Sequence, residues 1–334
     1  MSTITGVLAL ITLFTSCKEE DPGTSNFDPT YVNLEVSDSF PPLIIRPDNQ
    51  PMKERIELGR MLYYDKGLAT GDLTGKSCAS CHQQASSFSS KLSTAVLAHV
   101  NLGWASYFLW NGAEEGTLED VMTFEARDFF KMDLDLIRND PTYKALFEKA
   151  FEDGAVTYDH AGKAIAQFTR SMISDNSKFD KYLRGELQLD SSEMRGYLIF
   201  NSERGDCFHC HALPFFTDSD FHNIGLMTKF KDHEGRYNVT GRTADVGAFK
   251  TPTLRNIELT APYMHDDRFE TLEEVIEHYN SGVLNSPVLD PIMTKPGKET
   301  GLHLTDGQKS DVVAFLKTLT DDSFIADPDF SDPF

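Results

Sequence analysis

Basic residues are scarce in this chain. Of its 334 residues, 31 are Lys or Arg and 52 are Asp or Glu, which gives a formal net charge of −21 at pH 7. Because proteins that bind nucleic acids need a basic surface, this composition argues against a nucleic-acid partner. An acidic protein would instead attract a basic protein partner, and salt would weaken their encounter.

Cysteine is also scarce, and four of the five cysteines form two copies of one motif, C-x-x-C-H. The members of the two motifs are Cys78, Cys81, His82, Cys207, Cys210 and His211. No βαβ pattern surrounds either pair, as a thioredoxin-like site requires, and the pairs lie too far apart for a zinc ribbon. The motif is the attachment sequence of a c-type haem, in which two thiols bond to the porphyrin and the His binds the iron. The sequence therefore predicts two covalently bound haem c groups.

The fifth cysteine, Cys17, follows an apolar stretch that is too short to span a bilayer. The residues Leu13–Cys17 resemble a relaxed bacterial lipobox, although no basic residue precedes them. We interpret residues 1–17 as a lipoprotein signal peptide that leaves Cys17 lipidated; the alternative is an ordinary cleaved signal with an incidental cysteine. Both interpretations predict export. In the first, the protein is attached to the membrane only through the lipid anchor and faces the periplasm or the cell surface. Residues 18–49 are predicted to form a flexible tether.

The remaining chain predicts a mainly α fold with two tandem cytochrome c-like domains. We place them at 50–185 and 186–322, followed by a tail at 323–334. In each half a helical segment with a glycine precedes the haem motif, and a closing helix follows it, at 161–182 and at 306–319. A glycine on an apolar helix face indicates the close approach of another helix. We therefore expect the first and closing helices of each half to cross.

The segments around the two motifs resemble the bacterial di-haem cytochrome c peroxidase family, which includes the MauG-type enzymes. The segments that carry the resemblance are Leu58–Asp65, Phe108–Gly112, Thr117–Asp120, Ser177–Tyr182, Phe221–Gly225, Phe249–Ile257 and Ala261–Asp266. The resemblance implies that the second haem passes electrons to the first, which binds hydrogen peroxide. It also implies an external donor, either a small cytochrome c or a cupredoxin, and it makes a homodimer one expectation.

The resemblance implies that Tyr279 is the sixth ligand of the second haem iron, at a position where the peroxidases have Met and the MauG-type enzymes have Tyr. The local sequence agrees, because Thr271 and Glu274 predict a capping box that starts a helix with Tyr279 on its apolar face. Met264 and His278 are competing candidates. A phenolate ligand would favour ferric iron and lower the potential of this haem.

The proton-transfer group of the first haem departs from the family pattern. A peroxidase needs an open iron position and a nearby acid/base group, which the family supplies as Glu. In the family this Glu follows the segment that corresponds to Thr117–Asp120 at a fixed distance, and the same distance here leads to Lys131. A lysine replaces a carboxylate only if its pKa is strongly lowered. Glu125 or Asp128 would then take over, and we favour Glu125. The loop that usually carries a distal His is short, so the distal ligand is either His99 or none.

Further roles come from the resemblance alone. Trp110 matches a tryptophan that relays electrons between the haems. Carbonyl groups near Thr260 and Pro262 would contribute to a calcium site between the domains. Three residues are expected near the second haem, with Arg255 as a propionate partner: His222, Arg255 and His265.

Three functions follow from these expectations. The first is a peroxidase that reduces hydrogen peroxide to water. The second is a MauG-like enzyme that oxidises another protein by long-range electron transfer, which Tyr279 and the short loop favour. The third is a non-catalytic electron carrier, which would follow if Lys131 has replaced the acid/base group.

Overall fold

The computed structural model describes residues 26–91, 95–298 and 301–334. The predicted signal peptide, Cys17 and the start of the predicted tether lie outside these residues. Among the helices of these three ranges, none combines the length and apolar character needed to cross a membrane.

The described residues are mainly helical. Their α-helices are α1 (Lys53–Tyr64), α2 (Cys78–Cys81), α3 (Leu118–Phe124), α4 (Leu134–Asn139), α5 (Pro141–Ala150), α6 (Tyr158–Ser171), α7 (Lys178–Leu183), α8 (Ser191–Phe200), α9 (Tyr237–Thr240), α10 (Leu272–Glu277), α11 (Asp306–Lys317) and α12 (Asp322–Ala326). Two π-helical turns continue α3 and α10, at Glu125–Phe129 and His278–Gly282. The strands form two short antiparallel pairs: β1 (Tyr107–Phe108) with β2 (Glu114–Glu115), and β3 (Phe221–His222) with β4 (Phe249–Lys250).

The first and closing helices of each half cross at a glycine, as the sequence predicted. A Cβ atom on Gly59 of α1 would lie 2.0 Å from the carbonyl oxygen of Ala164 in α6. A Cβ atom on Gly196 of α8 would lie 1.9 Å from the carbonyl oxygen of Asp311 in α11. Real side chains cannot approach a backbone so closely, so only glycine allows these two helix pairs to pack.

The predicted closing helix at 161–182 is wrong as a single element, because the chain breaks between α6 and α7. In the break, the amide of Ser174 donates to the side chain of Asn101 at 2.8 Å. The Asn101 amide group in turn donates to the Ser174 carbonyl oxygen at 3.0 Å. Ser177 then caps α7, accepting from the amide of Asp180 at 3.1 Å. Tertiary hydrogen bonds and a new cap therefore replace the helical hydrogen bonds here.

The two ends of the described chain pack on the body of the protein, which corrects the predicted flexible tether from residue 26 onward and shows how the predicted tail is held. Phe40 is only 7% exposed and its ring lies 4.8 Å from that of Phe215. Phe324 and Phe330 belong to the first of two hydrophobic cores, which otherwise contains residues from 58 to 172. The second core contains residues from 179 to 319. Burial of these aromatic rings stabilises both ends.

The two halves repeat each other beyond their helices. Asn101 and Asn256 are both buried and have left-handed backbones, with φ of 56° and 60°. The amide of Asn101 donates to the carbonyl of Met172 at 3.0 Å, and the amide of Asn256 donates to that of Leu319 at 3.0 Å. These asparagines therefore mark equivalent positions in the two halves, as the crossing glycines do.

Candidate haem sites

The two motifs line separate cavities. The first cavity has a volume of about 440 Å³ and contains every reactive member of the first motif: Cys78, Cys81 and His82. The second has a volume of about 200 Å³ and contains those of the second motif: Cys207, Cys210 and His211. All four of these cysteines are free of disulfide bonds.

The histidine of each motif is oriented by one hydrogen bond. Nδ1 of His82 lies 2.9 Å from the carbonyl oxygen of Phe88, and Nδ1 of His211 lies 2.9 Å from that of Phe216. Because a carbonyl only accepts, Nδ1 carries the proton and Nε2 keeps its lone pair for a metal. Burial lowers the pKa of His82 to about 4 and also lowers that of His211. Two free thiols and a neutral imidazole in each cavity therefore fit a c-type haem.

Glu125 and Tyr279 hold equivalent positions in the two halves. Capping boxes at Thr117 and Thr271 start α3 and α10, and each helix continues into a π-helical turn. Glu125 and Tyr279 stand at the same count from these threonines. Single π-turns inside helices occur often at functional sites. The structure places Glu125 in the first cavity and Tyr279 in the second.

Tyr279 faces the second cavity together with the apolar residues of α10, as the predicted helical face requires. Burial raises the pKa of its phenol, and the nearby thiols of Cys210 and Cys207 raise it further. His278 is turned away, since its Nε2 lies 3.0 Å from the carbonyl oxygen of Ile224. Met264 lines both cavities and remains a competing ligand.

Glu125 lines the first cavity, and burial, with a smaller contribution from Glu114, raises its pKa to about 7. Lys131 does not line that cavity; it is exposed, and its backbone is left-handed with φ of 48°. Asp128 is also exposed and pairs with Arg127 at 2.7 Å. The turn after the π-helix therefore carries Lys131 away from the position that we predicted for it.

His99 lies beside His82 rather than opposite it. The two rings stack with their centres 3.5 Å apart and their planes 19° from parallel. A histidine that closed the far side of an iron held by His82 would face that ring across the cavity and would not stack on it. Nδ1 of His99 is 3.1 Å from the hydroxyl of Tyr63. The structure thus places His99 on the side of the His82 ligand and does not support it as a distal ligand.

Trp110 lies between the cavities and lines both of them. Its indole Nε1 donates to the carbonyl of Ala95 at 3.2 Å, and its own carbonyl accepts from the amide of Lys250 at 2.8 Å. Lys250 also lines both cavities, and burial lowers its pKa to about 8. The sequence reasoning missed Lys250, although it stands inside one of the segments that carry the resemblance. Thr260 and Pro262 line the first cavity, where calcium binding stays a prediction.

Arg255 does not fulfil its predicted role as a propionate partner. It is 1% exposed and lines neither cavity. Its two terminal nitrogens donate to the carboxylate of Asp180 at 2.9 and 3.0 Å, and its Nε donates to the carbonyl of Pro214 at 3.0 Å. Arg255 therefore forms a buried structural ion pair.

His222 and His265 both line the second cavity. The Nδ1 atom of His222 is 2.6 Å from Asp290 and its Nε2 atom is 2.9 Å from Asp218. Hydrogen bonds first to Asp218 and then to Asp290 raise its pKa to about 12. Both ring nitrogens of His222 therefore face carboxylates, and the residue lies beside the second haem motif as expected. Nε2 of His265 lies 3.2 Å from Nδ1 of His233, a neighbour that the sequence did not reveal.

Comparison with known proteins agrees with this arrangement. Residues 53–188 match the family model described as di-haem cytochrome c peroxidase. Over 311 residues the chain is 30% identical to the methylamine utilization protein MauG of Methylophilus methylotrophus, a match that covers 86% of this chain and 89% of that protein. The chain belongs to the di-haem cytochrome c peroxidase family. It is also 30% identical over 311 residues to the cytochrome c551 peroxidase of Nitrosomonas europaea, covering 86% of this chain and 84% of that protein.

A solved structure matches the fold over nearly its whole length. It is a MauG-like protein associated with microbial copper homeostasis, with 31% identity and a TM-score of 0.76, covering 90% of this chain and 99% of that one. Membership of this di-haem peroxidase family implies two c-type haems and makes the chain a peroxidase-type oxidoreductase.

Proposed function

We propose that this protein reduces hydrogen peroxide to water at the first cavity. Electrons come from a small cytochrome c or cupredoxin and enter at the second cavity, and each cavity contains the haem motif of one of two tandem cytochrome c-like domains. A haem bound in each supplies the redox chemistry, held by the thiols and by the imidazole Nε2 of His82 or His211. The observation that carries this proposal is the pair of equivalent positions, which place the carboxyl of Glu125 in the first cavity and the phenol of Tyr279 in the second.

Glu125 is suited to move the proton of the peroxide. Breaking the O–O bond to give water requires that a proton leave one oxygen and reach the other. A carboxyl whose pKa is raised to about 7 both accepts and returns a proton near neutral pH. The wall of the first cavity near Glu125 is apolar, since Phe124, Phe129 and Phe130 line that cavity. Glu125 therefore fills the role that the family gives to a later Glu.

Trp110 is placed to carry electrons between the two sites. Its side chain lies in the wall that the two cavities share, together with Lys250. An indole in that wall shortens the distance that the electron crosses in each transfer step. The position of Trp110 supports the relay that the resemblance implied.

Steady-state oxidation of a reduced small cytochrome by hydrogen peroxide tests the proposal. Glu125→Gln should lower turnover by about 10²–10⁴-fold, the usual contribution of a general acid/base group. Asp128→Asn is the matched control, because it removes a nearby carboxylate that is exposed. Equal turnover in wild type and Glu125→Gln, or a wild type that does not turn over although its haem binds peroxide, would refute the proposal.

A second candidate is oxidation of a protein substrate, as in the MauG-type enzymes. The observation that favours it is Tyr279 in the second cavity, where a peroxidase would place Met. Its test is oxidation of a partner protein by peroxide when no small donor is present, followed by mass spectrometry of that partner. The third function, a non-catalytic electron carrier, depended on Lys131 in place of the acid/base group. The first cavity is lined by Glu125 and not by Lys131, which removes that basis.

Export and attachment of the protein through Cys17 are part of the proposal and rest on the sequence alone. Metabolic labelling with a fatty acid should mark the wild type but not Cys17→Ser. Labelling of both, or of neither, would count against the lipid anchor.

A further inference from the structure

Lys250 is a buried cation that has no carboxylate partner among the described residues. It is 8% exposed, and its Nζ atom donates a long hydrogen bond, at 3.4 Å, to the carbonyl oxygen of Thr251. The carboxylate that acts on it electrostatically, Asp218, lies 2.9 Å from Nε2 of His222 and is bonded there instead. A buried charge costs free energy unless an opposite charge compensates it. Lys250 is therefore suited to pair with an anion inside the protein.

The backbone holds Lys250 in the wall that the two cavities share. Lys250 ends β4, opposite Phe221 of β3, and its amide donates to the carbonyl of Trp110 at 2.8 Å. Both Trp110 and Lys250 line both cavities. A strand partner and the Trp110 carbonyl thus fix the point from which the side chain starts. Because the side chain is also buried, its ammonium group stays close to this wall.

Lys250 supplies the first cavity with a cation. Among the described residues that line that cavity, it is the only lysine or arginine. The repeat shows that the first half has none at the equivalent position. Lys250 stands six positions before Asn256, and the residue six positions before Asn101, the equivalent asparagine, is Ala95. Ala95 lines the first cavity but carries no charge, so the first site depends on a cation from the second half.

In the second cavity, the other lysine is already paired. The described residues that line this cavity include one further lysine, Lys298, and no arginine. Nζ of Lys298 lies 2.9 Å from the carboxylate of Asp206. Arg255, which the sequence suggested for the propionates, is bound to Asp180 and lines neither cavity. Of the lysines and arginines in the described residues, Lys250 is therefore the one that lines both cavities and has no carboxylate partner.

We propose that the ammonium group of Lys250 is a shared partner for propionate groups of both haems. Each haem that family membership implies carries such carboxylates, and a charge-assisted hydrogen bond compensates the buried charge on both partners. Because the ammonium is positive, it favours ferrous over ferric iron at both sites. Lys250 is thus a positioning residue that raises the reduction potentials of the two haems together. This inference needs the two haems but not the proposed reaction with peroxide.

Spectroelectrochemical titration of the holoprotein, without peroxide or donor protein, tests this inference. Lys250→Met removes the charge but keeps a long side chain, and it should lower the reduction potential of both haems. We expect the redox equilibrium of each haem to change at least tenfold, which corresponds to about 59 mV for one electron. Lys250→Arg keeps the charge and should stay close to the wild type. Lys131→Met is the matched control and should leave both potentials unchanged, because Lys131 is exposed and lines neither cavity.

Resonance Raman spectra give a second readout, since the propionate bending modes of both haems should shift in Lys250→Met and not in Lys131→Met. Unchanged potentials in Lys250→Met, a shift confined to one haem, or equally low potentials in Lys250→Arg would overturn the shared partner. Lys250→Gln, which is neutral but polar, replaces Lys250→Met if that variant does not bind both haems. A wild type that fails to reduce peroxide would refute the proposed function alone, because neither readout involves peroxide.

Discussion

The side chains at two equivalent positions explain why two similar halves would do different chemistry. Glu125 and Tyr279 each lie in a π-helical turn that follows a capped helix, and each faces a haem cavity. A carboxyl with a raised pKa exchanges protons, whereas a buried phenol can close an iron position as a ligand. One residue therefore favours reaction at the first cavity, and the other favours electron transfer at the second.

The pH dependence of the reaction with peroxide should follow Glu125. Only the ionised carboxylate accepts the peroxide proton, and burial raises its pKa to about 7. The bimolecular rate constant should therefore rise with pH through about 7 and then level off. Stopped-flow absorbance gives this profile. Glu125→Gln should remove the rise, whereas Asp128→Asn should keep it; the same profile in Glu125→Gln and wild type would exclude Glu125 as the base.

Among the elements, the two crossing helix pairs each depend on a glycine at the point of contact. Gly196 meets the backbone of α11 directly, whereas Gly307, near the start of α11, has no atom within 4 Å of an added Cβ. We expect Gly196→Ala to lower the free energy of unfolding by at least about 1–3 kcal/mol, as overpacking does. Gly307→Ala should leave it unchanged or raise it by about 0.5 kcal/mol. Denaturant unfolding measures both, and equal stability of the two variants would contradict the proposed crossing.

The sequence predicted those elements that depend on local signals. The capping box at Thr271 is confirmed. The break after α6 was missed because its cause is distant in sequence, a hydrogen-bonded exchange between Asn101 and Ser174. The π-turns were missed as well, since an extra residue in a helix leaves no periodic signal in so short a stretch.

The site residues divide in the same way, into those that a local motif or segment marks and those whose partners are distant in sequence. The haem motifs, Glu125, Trp110 and Tyr279 could be assigned to cavities from motifs and from the family resemblance, and the structure places them there. Arg255 could not, because its partner Asp180 lies 75 positions earlier in the sequence and only the folded chain brings them together.

At the scale of the whole molecule, the net charge of −21 should govern the encounter with a donor. Opposite charges steer a basic cytochrome toward the protein, and added salt screens this attraction. The second-order rate constant for electron transfer from a basic cytochrome should therefore fall as ionic strength rises. An uncharged small reductant is the control and should show little change. A rate with the basic cytochrome that is independent of salt would contradict electrostatic steering.

The proposed function requires two unequal haem sites, one open and one closed by Tyr279. Titration of the ferric holoprotein with cyanide, followed by absorbance and electron paramagnetic resonance, tests this most directly. Tyr263→Phe is the control, because Tyr263 is another tyrosine that lines the second cavity. We predict that one haem binds cyanide readily in the wild type and in the control, and that both haems bind it in Tyr279→Phe. Ready binding at both haems of the wild type, or an unchanged titration in Tyr279→Phe, would contradict ligation of the second haem by Tyr279.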